Sequence, residues 1–190
     1  MKAEYSEKEF ENTKQWRAWL DIHYADVDGI WLRIYKKDSG IKTVTYAEAL
    51  DEALCYGWID GQRKKKDELS FIQKFTPRRK NSIWSKRNIE YVARLESEGR
   101  MMPPGLLEVA RAKADGRWDQ AYDKPSEMVA PEYFLNALKK HPEAHEFYKT
   151  LNKTNVYAIV WRLQTARTEQ TRNRRMEKLL MMLEEGKKLH

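Results

Sequence analysis

The sequence holds one cysteine, Cys55, and only 8 glycines, 6 prolines and 4 histidines among its 190 residues. A lone thiol cannot close an internal disulfide, which excludes a disulfide-stapled scaffold and fits a reducing compartment. The few glycines and prolines form no low-complexity tract, and no internal repeat is visible. No apolar run approaches the roughly 20 residues that span a bilayer. Residues 1–12 are acidic and polar without an apolar stretch, so no secretory leader is expected. Walker loops, G-x-G-x-x-G turns, nucleophile elbows and cysteine clusters are all missing, and no cofactor is expected.

What is present is aromatic and charged. The chain is 41% hydrophobic and 12% aromatic, with 7 tryptophans and 10 tyrosines, enough to build a core and to exclude disorder over most of its length. The length allows one domain or two small ones. A soluble, cytoplasmic, basic globular protein is the expectation. The net charge of +7 is unevenly spread: −4 over residues 1–60, +7 over 61–100, −1 over 101–150 and +5 over 151–190. Clustered charge concentrates anions far better than a high isoelectric point alone.

The hydrophobic pattern predicts α+β: a small antiparallel sheet with packed helices and a helical C-terminal region. Ser6-Glu7-Lys8-Glu9 reads as a capping box, and Thr13 starts a helix through Trp16, Trp19, Leu20 and His23. Ile30, Leu32 and Ile34 alternate with Trp31, Arg33 and Tyr35, as on a strand. Thr45-Tyr46-Ala47-Glu48 opens a second helix that stops at Gly57. Residues 58–65 and 70–76 form a hairpin, closed by Pro77. Ser85 caps a helix running to Gly99, and Pro103 or Pro104 starts another that ends near Gly116. The pattern lapses over 119–130. Beyond it, segments opened by Pro131 and Pro142, the set Val156, Ile159, Val160, Leu163 and the set Met176, Leu179, Leu180, Leu183 all read as helices. We expect an α+β region over 1–125 and a helical region over 126–190 packed on it.

Three stretches stand out together: Tyr46 to Gly61, containing ALCYGWIDG; Phe75 to Asn88, containing TPRRKNSIWSKRN; and Thr168 to Arg175, with its Thr-Arg-x-x-Arg. In this order they resemble the YdeI/OmpD-associated (OmdA, bacteriocin-protection) family of bacterial proteins, from about Trp19 to Gly186. The resemblance implies a part in envelope stress or bacteriocin tolerance. It carries over matched positions without catalytic roles: Trp58, Asp60, Pro77, Arg78, Ser82, Trp84, Ser85, Asn88, Thr171, Arg172 and Arg175.

The residues themselves suggest an anion site. Ser85 at a helix N-cap leaves backbone N–H groups at the positive end of the dipole, while Arg78, Arg79 and Ser82 upstream offer forked and hydroxyl donors. The plainer alternative is a helix cap beside a solvated basic loop. Asp60, flanked by large side chains, needs a partner if desolvated. Arg172 lies within about 40° of Met176, Leu179 and Leu183 on a helical wheel, so it pairs with an acid of the front half or touches a ligand. Cys55, in the last turn of a helix, reads as a buried small hydrophobe and not as a nucleophile. His141 and His145 lack the intervening glutamate of a metalloprotease helix, and Pro142 makes His141 a cap; no metal site is expected. Trp16, Trp19, Trp31 and Trp161 read as core, whereas Trp84 and Trp118 sit at loop–helix junctions where a ring can stack on a ligand.

The leading expectation is a non-catalytic protein that binds an anionic small molecule or protein partner through Trp58, Asp60, Arg78, Arg79, Ser82, Trp84, Ser85, Asn88, Arg172 and Arg175. The second is nucleic-acid binding by the two basic segments, weak and independent of sequence. The third is an enzyme of unrecognised class, disfavoured because no nucleophile–base pair is readable.

Overall fold

The computed structural model describes residues 5–189; the first four residues of the stretch searched for a leader lie outside them. The chain divides into two compact units. One runs up to Trp84 and again from Asn88 to Gln120; the other comprises Ser85–Arg87 and the chain from Ala121 onward.

In the first unit a four-stranded sheet has the order β1-β2-β4-β3, with β1 Glu7–Glu9, β2 Ile30–Tyr35, β3 Trp58–Lys65 and β4 Ser70–Pro77. The predicted hairpin is there, β3 antiparallel to β4, and β4 antiparallel to β2. The sheet is nevertheless mixed, because β1 runs parallel to β2. That strand replaces the capping box expected at Ser6–Glu9. No apolar face follows those residues at helical spacing, whereas the backbone finds partners on the β2 edge, Trp31 N–H donating to Ser6 O at 2.9 Å. All three of its residues are exposed, as befits a short charged edge strand.

Register places Ile30 opposite Phe75, Leu32 opposite Gln73 and Ile34 opposite Phe71, and all six are buried on one face. Two helices supply the other side of this core. α1 (Thr13–His23) begins at Asn12, whose side chain accepts from Gln15 N–H. It buries Trp16 and Leu20, with the Trp16 ring 5.8 Å from that of Phe75. α2 (Tyr46–Cys55) starts with the predicted capping box, Thr45 and Glu48 exchanging both bonds, and the Thr45 hydroxyl and then its N–H, donating to the Glu48 carboxylate, hold it below its ordinary pKa.

α3 (Lys86–Ser97) and α4 (Pro103–Ala114) follow. α4 presses its first turn against the end of α2. A Cβ on Gly105 would lie 2.2 Å from Cys55 O, so only glycine permits this approach. Gly57 ends α2 at φ +74°, a left-handed conformation that other residues resist.

The second unit is helical: α5 (Glu132–Lys139), α6 (Pro142–Lys149), α7 (Lys153–Gln164) and α8 (Glu169–Glu184). Phe134, Leu138, Ala144, Ile159, Leu163, Leu179, Leu180 and Leu183 form its core; of the periodic positions read from the sequence, Val156 and Met176 are only half-buried. No helix among the described residues is long and apolar enough to cross a membrane.

Candidate functional site

Two arrangements bring cationic side chains to open space, one in each unit. In the first unit β4 delivers Arg78 directly into a turn. Arg78 N–H donates to Gly57 O at 2.9 Å, its Nη1 donates to Ile83 O at 3.2 Å, and its guanidinium lies 3.5 Å from the centre of the Trp84 ring. With 7% exposure it is part of the interior. The next residues close on themselves: Ser82 N–H donates to Arg79 O at 2.8 Å, and Arg79 N–H to Ser82 Oγ at 2.9 Å. The Ser82 hydroxyl thus shapes the turn and leaves the Arg79 guanidinium exposed. Arg117, 5% exposed, secures the turn from below by donating to Ser82 O at 2.9 Å while its Nε holds Asp115 at 2.7 Å. A cleft of about 330 Å³ beside the turn is lined by Tyr5, Asp28, Thr76, Pro77, Arg78 and Arg79, so its lining already includes a carboxylate.

Several expected ligand-binding residues do structural work here. Trp58 is buried and donates its indole N–H to Tyr24 O at 3.0 Å. Asp60 accepts from the Tyr46 hydroxyl at 2.8 Å, tying β3 to the start of α2. Trp84 is buried between Arg78 and Trp118, the two indole rings 4.9 Å apart, so its faces are spent inside the fold. Asn88 is buried as well.

Sequence reading missed the most deeply buried charge in this unit. Glu52, 3% exposed, accepts from Arg17 Nη1 at 2.7 Å and from Arg100 Nη2 at 2.6 Å. Arg100 also holds Glu98 at 2.9 Å, and Arg94 holds Asp51 at 2.7 Å. Although burial opposes its charge, the hydrogen bonds it donates to Glu98 and Glu52 keep the Arg100 guanidinium above its ordinary pKa. Cys55 beside this network is fully buried; burial, then the Glu52 charge, pushes its thiol up to about 11. A thiol so protonated is no nucleophile, in line with the reading from its position. Burial, then the hydrogen bond to Asp21, likewise raises Tyr56.

The basic hairpin is partly neutralised. Lys65 pairs with Glu68, and Lys66 with Glu7 at 2.7 Å; Arg63 lies over Phe71 at 3.6 Å and Lys64 over Trp31 at 4.5 Å.

In the second unit Ser85 is buried and bridges to Tyr122, and Lys86 N–H donates to Tyr122 O at 2.9 Å. One of the N–H groups expected to face an anion at this helix start is therefore already taken. Lys86 also pairs with Asp123 at 2.5 Å, which lowers the Asp123 carboxyl pKa. His141 sits in the cap position before α6, its Nδ1 2.6 Å from Glu184. No cluster of metal-ligating side chains occurs among the described residues. Arg172 is half-buried over the Tyr133 ring, 5.1 Å from its centre.

The second arrangement lies between α7 and α8. A cavity of about 400 Å³ is lined by Trp161, Arg162, Arg175, Lys178, Leu179, Met182 and Leu189. α8 contributes residues 175, 178, 179 and 182, which follow helical spacing as one face. Arg175 donates through Nη1 to Arg162 O at 2.7 Å and to Thr165 Oγ1 at 3.1 Å, satisfying the end of α7 and fixing its own guanidinium at the rim. Arg162 Nη1 donates to Ala158 O at 3.1 Å. Among the described residues none of these three cations has a carboxylate at ion-pairing distance. Trp161, expected in the core, is half-exposed on the cavity wall, its ring edge-on to Tyr122 at 6.2 Å.

Comparison with known families divides the chain in a similar place. Residues 8–108, over half of it, match the family described as Domain of unknown function (DUF8412). The chain belongs to that family. Residues 127–186 match the family described as Bacteriocin-protection, YdeI or OmpD-Associated (OmdA). The OmdA resemblance read from the sequence is thus shown for the C-terminal part, where Thr168–Arg175 carries it, while the blocks Tyr46–Gly61 and Phe75–Asn88 fall within the DUF8412 match. All the cavity-lining residues except Leu189 lie inside the OmdA segment. No curated protein and no solved structure matches the chain.

Proposed function

We propose that this protein binds an anionic ligand without transforming it, and that the ligand sits in the α7–α8 cavity of the OmdA segment. We place this activity in the cytoplasm, where a lone thiol stays reduced, and in the bacteriocin protection that the family description names. The observation that carries the reading is the set Arg162, Arg175 and Lys178, three cations around one cavity with no carboxylate partner among the described residues. Uncompensated clustered cations raise the local concentration of anions, and a guanidinium already fixed by two acceptors loses little freedom when it binds one. The lining residues include no thiol, hydroxyl or imidazole, which supports holding over reacting.

Titration of isotope-labelled protein with acetate and with inorganic phosphate, followed by amide and indole NMR signals, tests this. Saturable shifts at Trp161, Arg175 and Lys178, lost in Lys178→Ala and retained in Arg79→Ala, are expected. Shifts that follow Arg79 instead would move the site to the turn of the first unit. Absence of saturable shifts in either place would remove the anion reading.

A further inference from the structure

We infer that the ligand class of this cavity is an amphiphilic monocarboxylate, a body of several methylenes or an aromatic ring ending in one carboxylate. The inference rests on the anion reading above and goes further, because charge alone does not account for the lining. Trp161, Leu179, Met182 and Leu189 form an apolar wall facing the same space as Arg162, Arg175 and Lys178. A small inorganic anion would use the rim and leave that wall wet. A neutral apolar molecule would cover the wall and leave three cations without a counter-charge. Only a ligand with both parts satisfies both surfaces.

The size agrees. About 400 Å³ lies within the range of small-molecule sites, roughly 300–1,000 Å³. The wall is also adaptable: Met182 is unbranched and polarisable, and the broad Trp161 face accepts an alkyl chain or a ring edge. The charged side is the more rigid one. Arg175 is tied by Nη1 to the last turn of α7, so Nε and Nη2, which have no protein partner among the described residues, are held in place to receive a carboxylate side-on. Lys178, one turn along α8 and exposed, adds a second charge without fixed geometry. This division sets head-group position through Arg175 and leaves tail length to the wall.

The test uses the full chain and a homologous series: butyrate, hexanoate, octanoate and decanoate below their micellar concentrations, with 1-decanol as the uncharged control. Binding is read by calorimetry and by Trp161 indole shifts. Affinity is expected to rise roughly three- to fourfold for each methylene while the tail still meets the wall. Decanoate is expected to bind at least tenfold more tightly than decanol, and Lys178→Met to weaken decanoate severalfold without changing decanol. Equal affinities along the series would overturn the amphiphile inference while leaving the anion reading standing. Equal binding of decanol and decanoate would overturn it from the other side, as a purely apolar cavity. If no carboxylate of any length binds, the amphiphile inference falls, and the anion reading stands only if inorganic phosphate still gives saturable shifts at the cavity.

Discussion

The ion-paired arginines of the first unit and the cavity cations of the second are handled in opposite ways. In the first, guanidinium groups are consumed by the fold: Arg17 and Arg100 close on Glu52, Arg117 on Asp115, and Arg33 on Asp67 at 2.7 Å. In the second, Arg162, Arg175 and Lys178 surround a cavity and give hydrogen bonds only to carbonyl and hydroxyl oxygens, or none. The contrast shows why a basic sequence segment is a poor guide to an anion site. Residues 61–100 carry the larger net charge, yet several of their cations are paired or lie on aromatic rings. The smaller C-terminal excess is the one left available.

The sharpest way to break this comparison is to remove Glu52. Glu52→Ala leaves two arginines facing a buried site, and the first unit should lose about 3 kcal/mol of stability, the lower end for a broken buried pair because water reaches both guanidiniums. Urea unfolding measures it; a loss below about 1 kcal/mol would mean that the network is solvated and the contrast illusory.

Next in size is an alkaline effect. Folding favours the neutral Cys55 thiol, whose pKa rises from 9.0 to about 11. Its contribution is therefore complete below pH 9 and disappears as pH climbs towards 11, on the order of 2 kcal/mol. Unfolding midpoints at pH 7, 9 and 11 should fall steeply for the native chain and less so for Cys55→Ala. Identical slopes would contradict the burial argument.

A smaller loss is expected from Arg175→Ala, about 1 kcal/mol, since the end of α7 forfeits its donor to Arg162 O and Thr165 Oγ1. The change should appear in hydrogen exchange at residues 161–166.

Smallest of all is Lys178→Ala, which should alter stability by less than about 0.5 kcal/mol while weakening anion binding. Circular dichroism melts beside the acetate titration separate the two. A large stability change would place Lys178 in the fold and undo the distinction between consumed and available cations.

How far the sequence foretold this is itself uneven. Helix starts were legible where local chemistry sets them: Thr45 with Glu48, and proline at the head of α4 and α6. β1 was not, because a three-residue charged strand exists only through pairing with β2. Around the turn at 78–85 the residue types were read correctly, but their uses depend on distant partners. Arg78 lies on Trp84, and Arg117 grips Ser82 from 35 positions away. Glu52 was passed over although it lies in one helical row with the buried Ala49 and Cys55, because neither arginine that meets it is local. Arg175 was named, and its companions were missed: reading α8 only through Met176, Leu179, Leu180 and Leu183 hid a second row at 175, 178, 179 and 182.

That double row has a consequence for how such a protein changes over generations. α8 carries its folding duty and its cavity lining on adjacent stripes that share Leu179, and Met182 of the cavity row also packs against the core. Substitutions at the exposed position 178 can retune what the cavity accepts while the buried leucines keep the helix docked. Leu179 has no such freedom, since any replacement alters both the core and the pocket. Related chains should therefore diverge early at 178 and hold a branched aliphatic residue at 179, so ligand preference can drift while the scaffold is inherited intact.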